Sequence, residues 1–179
     1  MKCRAYLLLV FLLPLLAFQQ GEDKSPPVSQ PETAPDEKKP PLEKVVIVER
    51  TFKLELAADP VSRANGLMGR EKLEKDRGML FVYPRSGNRN FWMMNCLIDI
   101  DLIFLNSQGR ITALHEMKKE APQGKDETNA QYSRRLKRYP TRRSSQYGIE
   151  LQKGSIKKLK LKVGQTIKLD FKRLTKLAK

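Results

Sequence analysis

Two carboxylates, a thiol and an imidazole are the side chains of this sequence whose types and spacing could perform catalysis. Asp99 and Asp101 lie two residues apart, so on a strand they would share one face, as paired acids could. Cys96 and His115 fall in neighbouring predicted segments and could act as a nucleophile with its base. However, two carboxylates on one strand do not face each other across a cleft, as the pair of a glycosidase does. A single cysteine such as Cys96 more often has a packing role than a catalytic one. We therefore predict no catalytic residue, with a small hydrolase as the alternative.

Five residues, of which Asp101 is one of the carboxylates named above, are candidates for a ligand site. Trp92 could form a stacking surface with Asn95 nearby, or it could be an anchor of the core. Arg63 and Arg70 bracket a predicted short helix, and either could pair with a carboxylate such as Asp101. A structural pair between Asp101 and one of these arginines is the simpler expectation, because a charge is seldom buried alone.

Soft donor atoms are a third group with possible chemistry. Thioethers, a thiol and an imidazole would suit Cu(I) in an exported protein. The residues concerned are Met68, Met79, Met93, Met94, Met117, Cys96 and His115. Their spacing is not that of a metal motif, and Met fills irregular cores well. Soft-metal binding is therefore a second alternative, and the prediction is that the protein has neither a metal nor a cofactor.

The N-terminus has the pattern of an export signal. Positive charges precede the apolar run 5–18, which is shorter than the roughly 20 residues that a spanning helix needs. Residues 1–20 are therefore predicted to be a signal peptide, or a tether to the membrane if it is not cleaved. Residues 21–43 are rich in Pro and charge and are predicted to be a disordered linker. The mature protein would be periplasmic, bound to the cell envelope or secreted, without a transmembrane span.

The positive charge of the chain is concentrated in its last third. The net charge is +15, and residues 118–179 hold 19 Lys and Arg against 5 Asp and Glu. Within a long basic loop, 118–146, the candidate contacts to a polyanion are Arg134, Arg135, Lys137, Arg138, Arg142 and Arg143. No phosphate-binding loop or RNA-binding signature accompanies them. The expected partners are an anionic polysaccharide, lipid head groups or an envelope protein, not a specific nucleic acid, and the protein is expected to be a monomer.

Alternating apolar residues predict a mostly antiparallel β structure between residues 44 and 174, followed by a basic tail at 175–179. The predicted strands are 45–49, 51–57, 79–83, 91–94, 98–105, 110–117, 147–151 and 165–171. Residues 84–90 are predicted to be a loop, and Asn106 to Gly109 a hairpin turn. Asp59 followed by Pro60 predicts a helix that begins there and ends near Met68, and a second short helix is expected at 154–161.

A family resemblance rests on residues spread over most of this region. They are Arg63, Gly66, Leu67, Met68, Arg70, Leu73, Gly78, Met79, Leu80, Phe81, Phe91, Trp92, Met93, Asn95, Asp101 and Phe104. The pattern resembles the family called domain of unknown function 192 (DUF192) and spans about residues 45–171. The resemblance implies one compact, mainly β domain, a barrel or jelly-roll-like sandwich with a short helix, in which 118–146 is an insertion. The family has no agreed activity. With the export signal, we expect a binding or accessory module of the cell envelope that has affinity for anionic surfaces.

Overall fold

The structure, a computed structural model, describes residues 40–179, so the predicted signal peptide and most of the predicted linker lie outside the described residues. The strands are β1 (Leu42–Ile47), β2 (Arg50–Ala57), β3 (Arg77–Gly87), β4 (Asn90–Phe91), β5 (Ile100–Leu105), β6 (Ile111–Met117), β7 (Tyr139–Pro140) and β8 (Ser145–Gln152). The helices are α1 (Pro60–Asn65), α2 (Asn129–Arg135), α3 (Ser155–Lys158) and α4 (Phe171–Leu177). Of the helices in residues 40–179, none is long and apolar enough to cross a membrane.

Six strands form one sheet in the order β1-β2-β3-β8-β5-β6, and β4 and β7 form a second sheet of two strands. The prediction of a mainly β fold with few short helices is confirmed. The barrel form is not adopted, because β1 and β6 are the two edges of an open sheet. The pairing is antiparallel except between β2 and β3, which are parallel because the connection through α1 returns the chain to the same end of the sheet.

The local turn and cap predictions are confirmed. The side chain of Asp59 accepts hydrogen bonds from the backbone N–H groups of Val61 and Ser62, at 3.0 Å each, and so caps α1. Bonding to Ser62 holds the pKa of the Asp59 carboxyl below its usual value. In the β5–β6 hairpin, Asn106 Oδ1 accepts from the backbone N–H of Arg110 at 2.9 Å. Both features depend on neighbours in sequence.

Four segments differ from their predictions. Of the predicted strand 91–94, only Phe91 lies in a strand, β4, and Met94 and Asn95 form a turn. Strand β3 continues through Gly87, so most of the predicted loop at 84–90 is strand. Segment 165–171 makes one isolated bridge, between Thr166 and Arg110, and no continuous ladder, so the predicted last strand is wrong. Residues 175–177 of the predicted basic tail belong to α4. This helix buries Leu174 completely against the sheet. An apolar contact with the sheet outweighs the local tendency of a charged C-terminus to fray.

The segment 118–146 is ordered rather than a structureless loop. Thr128 and Gln131 form a capping box at the start of α2, and Arg135 pairs with Glu127 at 2.6 Å. Tyr132 and Tyr139 are buried, so the segment has an apolar side as well as a basic one. These buried rings stabilise the segment where its polar composition alone predicts an irregular loop.

Both faces of the sheet are covered, and the alternation along β8 shows how they differ. Tyr147, Ile149 and Leu151 point to one face, where the C-terminal segment and α4 complete an apolar core. Gly148 and Glu150 therefore point to the other face, beneath α1 and the segment that follows β4. The second face is the one that carries the cavity.

Candidate functional site

The second face of the sheet contains a cavity of about 390 Å³ between α1 and the sheet. Its walls are largely aromatic and aliphatic, with a few polar groups. The lining residues are Pro60, Arg63, Ala64, Asn65, Gly66, Leu67, Met68, Phe81, Tyr83, Asn90, Phe91, Trp92, Cys96 and Glu150. Two of the five predicted ligand-site residues, Arg63 and Trp92, lie there.

Glu150 is the buried polar group of this cavity, and its side chain is 5% exposed. On the central strand β8 it pairs with Met79 of β3 on one side and Leu102 of β5 on the other. Its Oε2 atom has no hydrogen-bond partner among the described residues. Burial raises the pKa of this carboxyl to about 8, so at neutral pH the group is mostly protonated. A neutral carboxyl both donates and accepts a hydrogen bond.

Cys96 lies in the same cavity without a base. Burial, with a contribution from the charge of Glu150, raises the pKa of its thiol to about 12, so the reactive thiolate is scarce. His115 instead has Nε2 at 2.8 Å from the Pro140 carbonyl oxygen and its ring edge-on to Tyr139. Burial also lowers the pKa of His115. The structure therefore does not assemble the nucleophile and base considered for Cys96 and His115.

Trp92 lies at the mouth of the cavity and is not a core anchor. Its side chain is 39% exposed, whereas the next residue, Met93, is 1% exposed. The Arg138 guanidinium lies 4.2 Å from the centroid of the Trp92 ring, in a cation–π contact. Trp92 and Met93 differ in exposure as alternation would have them differ, although both lie just after β4 rather than in a strand.

Tyr83 forms another part of the mouth and is held between two arginines. The guanidinium carbons of Arg63 and Arg89 lie 4.9 and 3.8 Å from the centroid of its ring. Arg63 also donates to the carbonyl oxygens of Val82 at 3.0 Å and Lys179 at 2.7 Å. These bonds orient Arg63 between α1, β3 and the C-terminal residue, and they give the rim of the cavity a positive character.

Asp101 does not belong to this site, and its predicted pairing with Arg63 or Arg70 is wrong. It pairs with Leu151 in the sheet, so its side chain points to the opposite face from Glu150. There its Oδ2 accepts from the backbone N–H of Ile156 at 2.7 Å, at the start of α3. Burial raises the pKa of this carboxyl. The role of Asp101 is to cap a helix that has no cap of its own.

Arg70 and Asn95 have structural contacts beside the cavity. Both terminal nitrogens of Arg70 bind the Glu55 carboxylate at 2.5 Å. Asn95 has a left-handed backbone, with φ of 51°, and its N–H donates to the Tyr132 hydroxyl at 3.0 Å. Its carbonyl accepts from Gly69 at 2.9 Å, so Asn95 joins three segments through its backbone. Neither residue lines the cavity.

Asp99 is also separate from Asp101. It accepts from Lys153 Nζ at 2.6 Å and from the backbone N–H of Lys119 at 2.9 Å. Bonding to Lys153 is the main reason that the pKa of the Asp99 carboxyl is lowered. The two carboxyls therefore have different partners and are not gathered in one cleft.

The basic residues predicted to contact a polyanion fall into two groups. Arg135 binds Glu127, while Lys137 and Arg138 lie over the rings of Tyr139 and Trp92. The other group is exposed and forms no salt bridge within residues 40–179: it consists of Arg134, Arg142 and Arg143.

The soft donors are not gathered in one site, and Met94 and His115 belong neither to the cavity lining nor to the apolar cluster. Met68 and Cys96 line the cavity, while Met79, Met93 and Met117 are packed in the apolar cluster beneath it. In the described part of the chain, no three His, Cys, Asp or Glu side chains lie close enough together to hold a metal ion. The methionines of the cluster have an ordinary packing role.

Sequence reasoning missed Glu150, Tyr83 and the cavity itself. A signal for Glu150 was present, since one acidic residue interrupts the apolar strand 147–151. Alternation places Glu150 on the opposite face of the sheet from Ile149 and Leu151, but an acidic residue on such a face usually points into water. Only the cover supplied by α1 and the segment after β4 makes the position buried.

Comparisons with known proteins agree with this fold. A crystal structure from Sinorhizobium meliloti 1021, described as that of a proposed transcription regulator, is 26% identical, with a TM-score of 0.56 over 70% of this chain and 89% of that one. A protein of unknown function from Novosphingobium aromaticivorans DSM 12444 is 25% identical, with a TM-score of 0.57 over 72% and 85%. No curated protein matches the chain.

A family model described as "Uncharacterized ACR" matches residues 44–169. This region contains the sheet except for the first two residues of β1, and it also contains α1 and every cavity residue. It is the family that the pattern around Trp92 resembles. The chain belongs to the DUF192 family.

Proposed function

We propose that this protein is a binding module that holds a small molecule in the cavity between α1 and the sheet. The observation that carries the proposal is a buried carboxyl without a partner, Glu150, in a largely apolar cavity with Trp92 at its mouth. A volume of about 390 Å³ lies within the roughly 300–1,000 Å³ of ordinary ligand sites. Such sites combine apolar walls with a few polar groups that orient the ligand.

Binding is favoured over catalysis by the state of the reactive groups. The Cys96 thiol is protonated and has no base, and Asp99 and Asp101 have separate structural partners. A catalytic acid–base pair needs two groups within reach of one substrate. Glu150 alone can orient a ligand by hydrogen bonding.

We propose further that the module is exported and works at the cell envelope, attached to anionic surfaces. The support is the signal-like sequence at 1–20 and the concentration of Lys and Arg in residues 118–179. Arg134, Arg142 and Arg143 are exposed and carry this part of the proposal. Changing these three to Gln should reduce retention on an anionic polysaccharide matrix and its salt dependence. Cell fractionation of the full chain tests the location, and recovery in the cytosol alone would contradict export.

The binding function is tested by screening small aromatic and polar compounds for saturable changes in Trp92 fluorescence and in the thermal midpoint. Ala64 lines the cavity from α1 and is exposed, so Ala64→Phe should block the space without disturbing the core. Val61 lies on the same helix, is 68% exposed and does not line the cavity, so Val61→Phe is the matched control. Hits should bind the control and fail to bind the blocked variant. Equal binding to both would place the ligands elsewhere and contradict the proposal.

A further inference from the structure

The environment of Glu150 determines which form of its carboxyl the cavity presents. Within residues 40–179 no Lys or Arg pairs with it, and its Oε2 atom makes no hydrogen bond. The titratable or charged groups that share the cavity with it are Cys96 from the segment after β4, Tyr83 from β3 and Arg63 from α1. The cavity is also lined by two neutral amides, Asn65 of α1 and Asn90 of β4. Arg63 binds two backbone carbonyls and lies over Tyr83 instead. An ionised carboxylate would be buried here without compensation, so the neutral acid is favoured.

A neutral carboxyl has a specific hydrogen-bonding pattern. It carries an O–H donor and a C=O acceptor side by side in one plane, and a carboxylate carries acceptors only. The complementary group on a ligand presents an acceptor and a donor at the same spacing, as an amide or a lactam does. An ester or a tertiary amide lacks the donor. An amine is positively charged at neutral pH and would be repelled by the positive rim formed by Arg63, Arg89 and Arg138.

The walls indicate the rest of the ligand. Phe81 and Phe91 are edge-to-face, with ring centroids 5.0 Å apart, and Trp92 continues this aromatic surface to the mouth. Flat apolar groups pack well against such rings. Resting on the binding function proposed above, we infer that the cavity takes a flat aromatic ligand whose amide or lactam edge pairs with the Glu150 carboxyl.

The test compares three matched probes, benzamide, N,N-dimethylbenzamide and methyl benzoate, whose affinities for the purified protein are measured by NMR titration. Benzamide should bind about tenfold more tightly than the other two, because each of these leaves the Glu150 carboxyl with an unmet bond. Its affinity should fall as pH rises above about 8, since the neutral acid is then a shrinking fraction of the protein.

Two variants separate pairing from mere shape. Glu150→Gln retains a donor and an acceptor, so it should keep the benzamide preference and lose the pH dependence. Glu150→Leu replaces the carboxyl with an apolar side chain, so this variant should bind all three probes with equal affinity. Equal affinities of the three probes for the unchanged protein would overturn the amide inference and leave the binding function intact. If Ala64→Phe abolishes the binding of other compounds while benzamide fails to bind the unchanged protein, the inference is likewise wrong and the cavity remains a binding site.

Discussion

The substitution Glu150→Gln should stabilise this protein, by an amount that depends on pH. Glutamine has nearly the same shape as protonated glutamic acid but never becomes charged. The Glu150 carboxyl has a pKa of about 8 in the folded protein against 4.5 for an ordinary glutamate, because it is buried. The two values differ by about 3.5, and each pKa unit corresponds to about 1.36 kcal/mol.

The sign follows from which state holds the proton. Below about pH 4.5 both the folded and the unfolded chain hold it, so the ionisation of Glu150 costs no stability there. Between pH 4.5 and about 8 the unfolded chain releases the proton while the folded chain keeps it, so the free energy of unfolding falls as pH rises. Above that range the loss is constant, on the order of 5 kcal/mol, and near neutral pH it is about 3 kcal/mol.

Urea unfolding followed by Trp92 fluorescence provides the assay, since the chain has a single Trp. Near pH 5 the Gln variant and the unchanged protein should have nearly equal free energies of unfolding, and near pH 9 the variant should be more stable by several kcal/mol. Glu71→Gln, at an exposed glutamate, is the control and should show no such difference. If Glu150→Gln changed the free energy of unfolding equally at both pH values, the conclusion that the Glu150 carboxyl is buried and unpaired would be wrong.

Three further predictions concern the surroundings of the cavity. Trp92→Ala should abolish binding of aromatic probes and lower the free energy of unfolding by less than about 2 kcal/mol, because the ring is partly exposed; titration and urea unfolding test this. Gly78→Ala should lower the thermal midpoint strongly, because the added Cβ would collide with the backbone carbonyl oxygen of Glu150 on β8; calorimetry measures it. Arg70→Gln should cost about 1–3 kcal/mol in urea unfolding, because it leaves the nearly buried Glu55 carboxylate without its partner. A change of less than a few tenths of a kcal/mol for either of the last two would contradict the contact concerned.

Local features of the fold could be predicted from neighbouring residues. The Asp59 cap, the hairpin at 106–109 and the alternation in β2 each depend on contacts within a few positions of the chain. The family pattern also agreed with the fold that the structure shows. The outward position of Trp92 was one of two alternatives that alternation allowed, and neighbouring residues could not decide between them.

The candidate site could be predicted only in part. Arg63 and Trp92 were identified, but Asp101 was grouped with them as an expected partner of Arg63 or Arg70. Strand pairing places Asp101 next to Leu151 and Leu102 next to Glu150, so consecutive residues of β5 belong to opposite faces of the sheet. The need of a buried charge for a partner was judged correctly, but sequence could not show that Asp101 lies on the other face of the sheet and binds the backbone N–H of Ile156.

The sequence by itself determined the mainly β character, the first helix and the family, because alternation, capping and motif spacing are local. Tertiary structure decided which residues form the cavity, because that depends on what covers each face of the sheet. Glu150 has the same side chain wherever it lies, but α1, Phe91 and Cys96 shield it from water in the fold. Burial of a carboxyl is a property of its three-dimensional surroundings, and its changed proton affinity follows from them.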